Sequence, residues 1–213
     1  MTTTRVEYLL AIDIGTSTIK AVLVHKSTLK VVGESSRSLG SHLTVPAQNA
    51  YERDVHEILA CLDQCLTSFD RSTLQEVVSI GVCGQMHGCV LWKSSKAFLN
   101  EDRTLKRDSL SSCSTLITWQ DGRCSPQFLS SLPKTSQPIQ LSTGYGCATL
   151  AWLKQFKSDF IEQFDRAGTI MDLVVWALCG HHLEEGKDTV MSAQNATSWG
   201  YFDITELKWE WEM

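Results

Sequence analysis

The chain of 213 residues has the composition of an ordinary globular protein, with 43% hydrophobic and 20% charged residues. A chain of this length buries roughly 70% of the surface that it exposes when unfolded, enough for one large domain or two small ones. Its net charge of −5 argues against broad binding to nucleic acids or to anionic membrane surfaces. No run approaches the about 18 consecutive apolar residues of a membrane-spanning helix.

The cysteines and the N-terminus indicate a reducing compartment. Eight cysteines lie along the chain without a CxxC pair or the Cys/His spacing of a zinc site. The first apolar run is short and ends in an aspartate, which is typical of a buried strand rather than of a secretion signal. We therefore expect reduced thiols and a cytoplasmic protein.

In chain order, the apolar patterns predict a mixed α/β succession of elements. Three strands joined by tight turns come first, at residues 7–14, 18–25 and 29–37. Apolar residues at helical spacing after Asp54 predict a helix. Beyond it we predict strands at 77–82, 89–92 and 116–119, a polar surface loop at 94–114, and helices near 124–132, 147–156, 158–165 and 172–179. This order is typical of a layered α/β domain.

The turn between the first two predicted strands carries the chemistry of a phosphate site. The first apolar run ends in Asp13, and then come Gly15, Thr16, Ser17, Thr18 and Lys20. The hydroxyls and turn amides can donate to phosphate oxygens, Gly15 permits a close approach of the backbone, and Asp13 can hold Mg²⁺. An ordinary hairpin with a polar turn is the alternative that these residues leave open.

A second motif, GQMHG at residues 84–88, follows a predicted buried strand. Gln85 and His87 offer hydrogen bonds to hydroxyl groups, and Met86 offers an apolar wall. These side chains suit a small polyhydroxy ligand. The alternative is a strand connection in which the histidine is a packing residue.

A third motif, WQDGR at residues 119–123, closes another predicted strand. Trp119 can present a flat apolar face to a sugar ring, and Asp121 and Arg123 can bind hydroxyl groups or each other. The alternative is a local Asp–Arg pair at a strand end, which contributes little to stability.

Taken together, DIGTSTIKA, GQMHG, WQDGR and TGYGCATLAWL resemble, in that order and spacing, the FGGY carbohydrate kinases. The resemblance spans roughly residues 8–205 and implies an α/β fold, the ribonuclease-H-like first lobe of a two-lobed kinase of the actin/hexokinase/Hsp70 superfamily. It implies that residues 1–205 form this lobe and that residues 206–213 begin the connection to a second lobe.

The same resemblance implies ATP and Mg²⁺ as cofactors and a ketose as the substrate. Asp13 matches the Mg-ATP aspartate of the family, and Gly15, Thr16, Ser17, Thr18 and Lys20 match the segment that contacts the phosphates. Gln85, Met86 and His87 match the substrate side, with Asp121 and Arg123 near the sugar. No nucleic-acid or membrane partner is implied.

Within the family, residues 117–133, 142–153 and 194–203 are most similar to the branch that phosphorylates sedoheptulose to its 7-phosphate; the xylulose branch is the nearest alternative. The resemblance places the general-base aspartate in the second lobe, so we expect no catalytic base among these 213 residues. We expect the lobe alone to be inactive and to self-associate. A non-catalytic lobe that binds sugar weakly, or a partner, is the alternative function, and a sugar-independent ATPase is disfavoured by GQMHG and WQDGR.

Overall fold

The computed structural model describes residues 6–45, 48–94, 112–137, 140–179 and 190–210. They belong to two compact units, of which unit 1 comprises Met1–Gly40 and His56–Gln85 and unit 2 comprises Ser41–Val55 and Met86–Met213. Most of the predicted surface loop at 94–114, and residues 211–213 of the predicted connection, lie outside the described residues.

Within the described ranges, the helices and strands follow one another in a mixed order. They are β1 (Tyr8–Ile14), β2 (Thr18–His25), β3 (Val31–Ser38), β4 (Glu52–Arg53), α1 (Val55–Leu66), α2 (Arg71–Gln75), β5 (Val77–Gly84), β6 (Val90–Trp92), β7 (Leu116–Ile117), α3 (Pro126–Ser131), α4 (Gly146–Phe156), α5 (Ser158–Ile161), β8 (Arg166–Gly168), α6 (Ile170–Leu178), α7 (Ala193–Trp199), β9 (Phe202–Asp203) and β10 (Lys208–Trp209).

Unit 1 is built on a four-stranded sheet in the order β3-β2-β1-β5. β2 pairs antiparallel with both β1 and β3, whereas β5 pairs parallel with β1. A parallel pair needs a long crossover connection, and α1 and α2 lie in the connection that precedes β5. The predicted succession of three strands, a helix and a further strand is confirmed.

One face of this sheet is covered by α1. Ile12 and Ile19 are fully buried on that face, and the Cys65 thiol of α1 donates a hydrogen bond to the Ile19 carbonyl oxygen (3.7 Å). Because side chains alternate between the two faces along a strand, Asp13 and Lys20 lie on the opposite face. The alternation of side chains that buries Ile12 and Ile19 against α1 therefore also places Asp13 and Lys20 on the face away from α1.

Unit 2 contains three two-stranded pairings among its described residues, β4 with β7, β6 with β8, and β9 with β10. Its helices are α3 to α7. Trp92 of β6 and Trp176 of α6 are almost fully buried, with ring centroids 6.1 Å apart. These two large side chains fix α6 against the short β6 strand.

A buried polar network joins α6 to α7. Thr169 and Asp172 form a capping box at the start of α6, in which each side chain accepts a hydrogen bond from the other residue's backbone N–H. The Asn195 amide of α7 donates to the Asp172 carboxylate (3.0 Å) and to the Thr169 hydroxyl (3.2 Å). Burial raises the pKa of Asp172, although the hydrogen bonds from Thr169 and Asn195 act in the opposite direction.

The structure differs from the predicted elements in several places, and the short elements β4, α2, β8, β9 and β10 were not predicted. The strand predicted at 116–119 ends at Ile117, and Trp119 is 46% exposed. The helix predicted at 158–165 ends at Ile161. Helix α7 was not predicted, because its Asn, Thr and Ser residues are weak helix formers; the Ser192 side chain caps it and buried Trp199 anchors it. None of the helices in the described ranges is long and apolar enough to cross a membrane.

Candidate functional site

The turn between β1 and β2, called the hairpin tip below (residues 15–18), is held by backbone hydrogen bonds. The Gly15 N–H donates to Thr18 O (3.0 Å), and the Leu39 N–H donates to Ser17 O (2.9 Å). A Cβ atom on Gly15 would lie 2.8 Å from Thr18 O, so the turn requires glycine there. The carbonyl oxygens of Ser17 and Thr18 therefore both accept hydrogen bonds from protein donors.

Gln85 supports the hairpin tip from the end of β5. Its backbone N–H donates to Ile14 O (2.9 Å), and its side-chain Nε2 donates to Gly15 O (3.4 Å). The side chain is 8% exposed, and Oε1 is buried without a partner among the described residues. The predicted contact between Gln85 and the substrate stays a prediction, since the described contacts of this residue hold the tip.

Asp13, Lys20 and Cys83 form a row across three neighbouring strands. Asp13 of β1 pairs directly with Lys20 of β2 and with Cys83 of β5. Asp13 is half-buried, whereas Lys20 and Cys83 are exposed. Burial and the negative charge of Asp13 raise the pKa of the Cys83 thiol. A carboxylate flanked by a cation and a neutral donor therefore lies directly before the hairpin tip.

The donor set at the hairpin tip fits a metal that arrives with a phosphate ligand. Within the described residues, no group of three or more His, Cys, Asp or Glu side chains could hold a metal ion. Mg²⁺ in phosphate sites commonly uses one or two carboxylates, together with phosphate oxygens and water. Asp13 provides such a carboxylate, and Thr16, Ser17 and Thr18 provide hydroxyl donors beside it.

Met86 and His87 lie in unit 2, on a turn that α7 holds. His87 adopts a positive φ of 70°, and its Nδ1 lies 2.9 Å from the carbonyl oxygen of Ser198. The Gln194 side-chain Nε2 donates to the Met86 sulfur (3.9 Å). Residues one turn apart on α7 therefore fix the two side chains that were predicted to contact the substrate.

The hydrogen bond to Ser198 sets the tautomer of His87. A carbonyl oxygen only accepts hydrogen bonds, so Nδ1 carries the proton, and Nε2 of the neutral ring is an acceptor. The ring also stacks on Tyr145, with centroids 4.4 Å apart and an interplanar angle of 5°. These two contacts fix a half-buried imidazole that can accept a hydrogen bond from a ligand hydroxyl.

Asp121 and Arg123 bind each other in a buried cluster with Glu52. The Arg123 guanidinium donates from Nε to Asp121 Oδ1 (2.8 Å) and from Nη2 to both Asp121 Oδ2 (2.9 Å) and Glu52. The guanidinium also lies over the Trp152 ring, 5.4 Å from its centroid. The side chains of Arg123, Asp121 and Glu52 are 7%, 0% and 13% exposed. The pair is therefore not the weak ion pair that the sequence left as an alternative.

The Asp121 carboxylate already accepts hydrogen bonds on both oxygens. Oδ1 receives the Arg123 N–H (3.0 Å) and Nε, and Oδ2 receives the Tyr51 N–H (2.8 Å) and Nη2 of Arg123. A carboxylate has about four acceptor positions, so none is left for a sugar hydroxyl in this arrangement. Direct contact of Asp121 and Arg123 with a sugar stays a prediction, and their described role is to fix the WQDGR turn.

The predicted site residues thus form three groups: the hairpin tip with Asp13, Lys20 and Gln85; Met86 with His87; and Asp121 with Arg123. No described contact joins the last two groups. Trp119 is 46% exposed, and its predicted contact with a sugar ring stays a prediction. The sequence did not single out several supporting residues: Glu52, Cys83, Tyr145 and Ser198. Only Tyr145 had a local signal, because it stands in the TGYG motif.

Comparisons with known proteins show the family of the chain. Residues 8–213 match the FGGY family of carbohydrate kinases, N-terminal domain. The chain is 39% identical to the human sedoheptulokinase over 95% of its own length and 44% of that protein. It is 23% identical to the xylulose kinase of Escherichia coli K12, over 94% of the chain and 38% of that protein.

Two solved structures share the fold at low sequence identity. The glycerol kinase of Plasmodium falciparum with ADP superposes with a TM-score of 0.71 and 17% identity, over 96% of this chain and 39% of that one. A ligand-bound xylulose kinase from Lactobacillus acidophilus gives a TM-score of 0.65 and 20% identity, over 97% and 39%. The chain spans less than half the length of these relatives. Its α/β fold is that of the first lobe of a two-lobed sugar kinase, and the chain belongs to the FGGY family of carbohydrate kinases.

Proposed function

We propose that this chain is the first lobe of a kinase that transfers the γ-phosphoryl group of ATP to a ketose, with sedoheptulose as the substrate and sedoheptulose 7-phosphate as the product. The observation that carries the proposal is the hairpin tip, a glycine turn rich in hydroxyl groups that directly follows a carboxylate, in a chain of this family. The sugar rests on the 39% identity to sedoheptulokinase, against 23% to a xylulose kinase.

The residues at the hairpin tip suit phosphoryl transfer, which depends on positioning and on neutralising charge. Asp13 would hold Mg²⁺, which when bound to the phosphates offsets their negative charge. The hydroxyl groups of Thr16, Ser17 and Thr18 would donate to phosphate oxygens, and the exposed Lys20 ammonium adds a positive charge on the same face. The rigid backbone of the tip holds these donors without further ordering.

On the sugar side, His87 would accept a hydrogen bond from a hydroxyl group through Nε2, because Nδ1 is committed to Ser198. Met86 would supply an apolar contact for the carbon chain. The general base is assigned to a second lobe, and a base contributes about 10²- to 10⁴-fold to the rate. Positioning of the second reactant contributes about 7–11 kcal/mol, so the 213 residues alone should show no measurable turnover.

A competition assay tests the proposal. The assay uses a fusion protein in which this lobe is followed by the second lobe of a relative. The fusion protein is incubated with Mg-ATP and with sedoheptulose and xylulose at equal concentrations. The proposal predicts a higher kcat/KM for sedoheptulose and no turnover after Asp13→Ala. A higher kcat/KM for xylulose would show that xylulose, and not sedoheptulose, is the substrate. ATP hydrolysis that no sugar stimulates would show that the protein is an ATPase and not a sugar kinase.

A second candidate is a non-catalytic, self-associating cytoplasmic lobe, and the edge strand β5 favours it. The other edge strand, β3, carries Glu34 and Arg37, whereas β5 (VVSIGVCG) has no charged residue and no proline. Val78 and Ile80 on β5 are 49% and 45% exposed. Uncharged, exposed edge strands pair with strands of other chains. Light scattering that finds a monodisperse monomer at high concentration would exclude this candidate.

A further inference from the structure

Helix α7 supports three successive residues of the GQMHG turn. The Ser198 carbonyl oxygen lies 2.9 Å from His87 Nδ1, and the Trp199 indole Nε1 donates a hydrogen bond to the carbonyl oxygen of Gly88 (3.3 Å). Together with the contact to the Met86 sulfur described above, these bonds connect the turn to both ends of α7. The position of the helix therefore decides the position of the turn.

The end of α7 explains why His87 finds an acceptor there. Ser198 lies in the last turn of the helix, which ends at Trp199. The last four carbonyl groups of a helix have no partner within the helix, and the Ser198 carbonyl accepts its hydrogen bond from His87 instead. The tautomer of the imidazole therefore depends on where this end of α7 lies.

Asn195, three residues before Ser198, fastens α7 to α6. Its side-chain Nδ2 donates to Asp172 Oδ1 (3.0 Å) and to Thr169 Oγ1 (3.2 Å), and those two side chains cap the start of α6. Its carbonyl oxygen accepts a hydrogen bond from the Ser198 hydroxyl (2.8 Å). A path of buried hydrogen bonds thus leads from the cap of α6, through Asn195 and Ser198, to His87.

Apolar packing also holds α7, but it does not specify the rotation of the helix. Ala196 and Trp199 are buried, and burial of apolar surface has no preferred direction. A hydrogen bond, in contrast, weakens steeply when its donor and acceptor are misaligned. In a helix of seven residues, the two bonds from the Asn195 amide are the contacts that fix its orientation against α6.

We infer that Asn195 is a positioning residue for His87: by binding the cap of α6 it places the Ser198 carbonyl, which sets the tautomer of the imidazole. This assigns a role to the QNATSWGYFD segment at residues 194–203. The inference rests on the proposed function for its consequence, because the tautomer matters to catalysis only if His87 binds a sugar hydroxyl. The tautomer itself can be measured without any sugar.

The test measures the tautomer of His87 in the 213-residue chain from imidazole ¹⁵N chemical shifts, at about pH 8, above the usual titration range of histidine. The wild type should show the Nδ1–H form. Asn195→Ala should lower the ratio of the Nδ1–H form to the Nε2–H form by roughly two- to tenfold, as expected for one hydrogen bond. Thr197→Ala is the matched control and should keep the wild-type ratio, because the Thr197 hydroxyl donates to Ala193 O within α7 (2.7 Å).

An exchange of the two side chains separates positioning from packing. The double variant Asp172→Asn/Asn195→Asp again places an amide against a carboxylate, and it should restore the wild-type ratio. An unchanged ratio in Asn195→Ala, a dominant Nε2–H form in the wild type, or an altered ratio in the double variant would overturn the inference. If Asn195→Ala does not fold, the ratio in the double variant decides. If neither variant folds, the link is a requirement for folding, and the inference is wrong.

Binding of sedoheptulose, followed by ligand-observed NMR, separates the inference from the proposed function. Asn195→Ala should weaken sedoheptulose binding by about the same factor as it lowers the tautomer ratio, and should leave Mg-ATP binding unchanged. If the tautomer responds as expected but the wild type binds no sedoheptulose, the inference stands and the proposed function fails.

Discussion

Replacing Arg123 by alanine removes the cation that two buried carboxylates share. Asp121 would lose the two hydrogen bonds that the guanidinium donates and keep the one from the backbone N–H of residue 123, and Glu52 would lose its ion pair. Breaking a buried ion pair by removing one partner costs about 3–5 kcal/mol, because the remaining charge stays buried without compensation. For a chain of this size that corresponds to a fall in Tm of roughly 6–20 °C.

The measurement is thermal unfolding followed by the near-ultraviolet circular dichroism of the tryptophans, with Lys154→Ala as the control. Lys154 and Glu162 form an ion pair at 3.1 Å, but both side chains are more than 60% exposed. Such pairs contribute about 0.2–1 kcal/mol, so the control should shift Tm by at most a few degrees. Arg123→Lys should recover little, because an ammonium group cannot make the bidentate contact.

The result also separates two roles for Arg123. If Arg123→Ala lowers stability as calculated, the residue holds the WQDGR turn in place. If the variant unfolds like the wild type but loses sugar binding in ligand-observed NMR, the reasoning from burial is refuted. Arg123 would then be the direct substrate contact that the sequence predicted.

Three further predictions follow from other parts of the structure. His87→Ala should weaken ketose binding by about two- to tenfold and nucleotide binding less, as one lost hydrogen bond requires; equal losses for both ligands would contradict this. Asp172→Ala should cost more stability in urea at pH 4, near the ordinary pKa of an aspartate, than at pH 7: a raised pKa means that the folded state binds the proton more tightly, so the contribution of Asp172 grows as pH falls. A cost independent of pH would contradict it. Ile80→Lys should shift self-association toward monomer in light scattering, whereas Leu29→Lys, in an exposed turn, should not.

The sequence predicted unit 1 well because its signals are local. The alternation of apolar residues predicts β1 and β2, and the glycine and hydroxyl residues between them predict a turn. The helical spacing of apolar residues from Val55 onward predicts α1, and the helix begins at Val55. The position of the hairpin tip and of its neighbours Asp13 and Lys20 can therefore be predicted from a stretch of ten residues.

The supports of the site could not be predicted in the same way, since they come from distant parts of the chain. Glu52 and Arg123 are 71 residues apart, and His87 and Ser198 are 111 residues apart. Helix α7 is too short and too polar to give a helical pattern. The cysteine beside Asp13 becomes visible only when the register between β1 and β5 is known. Motifs identify the residues that face a ligand, and tertiary contacts identify those that hold them.

The central claim is that the hairpin tip binds a metal-bound phosphate through Asp13, and an NMR titration of the ¹⁵N-labelled chain with Mg-ATP tests it most directly. We expect the largest amide shifts on Gly15, Ser17, Thr18 and Lys20, and we expect them to be strongly reduced in Asp13→Asn or when EDTA removes the magnesium. Shifts confined to unit 2, or shifts at the tip that Asp13→Asn leaves unchanged, would contradict it.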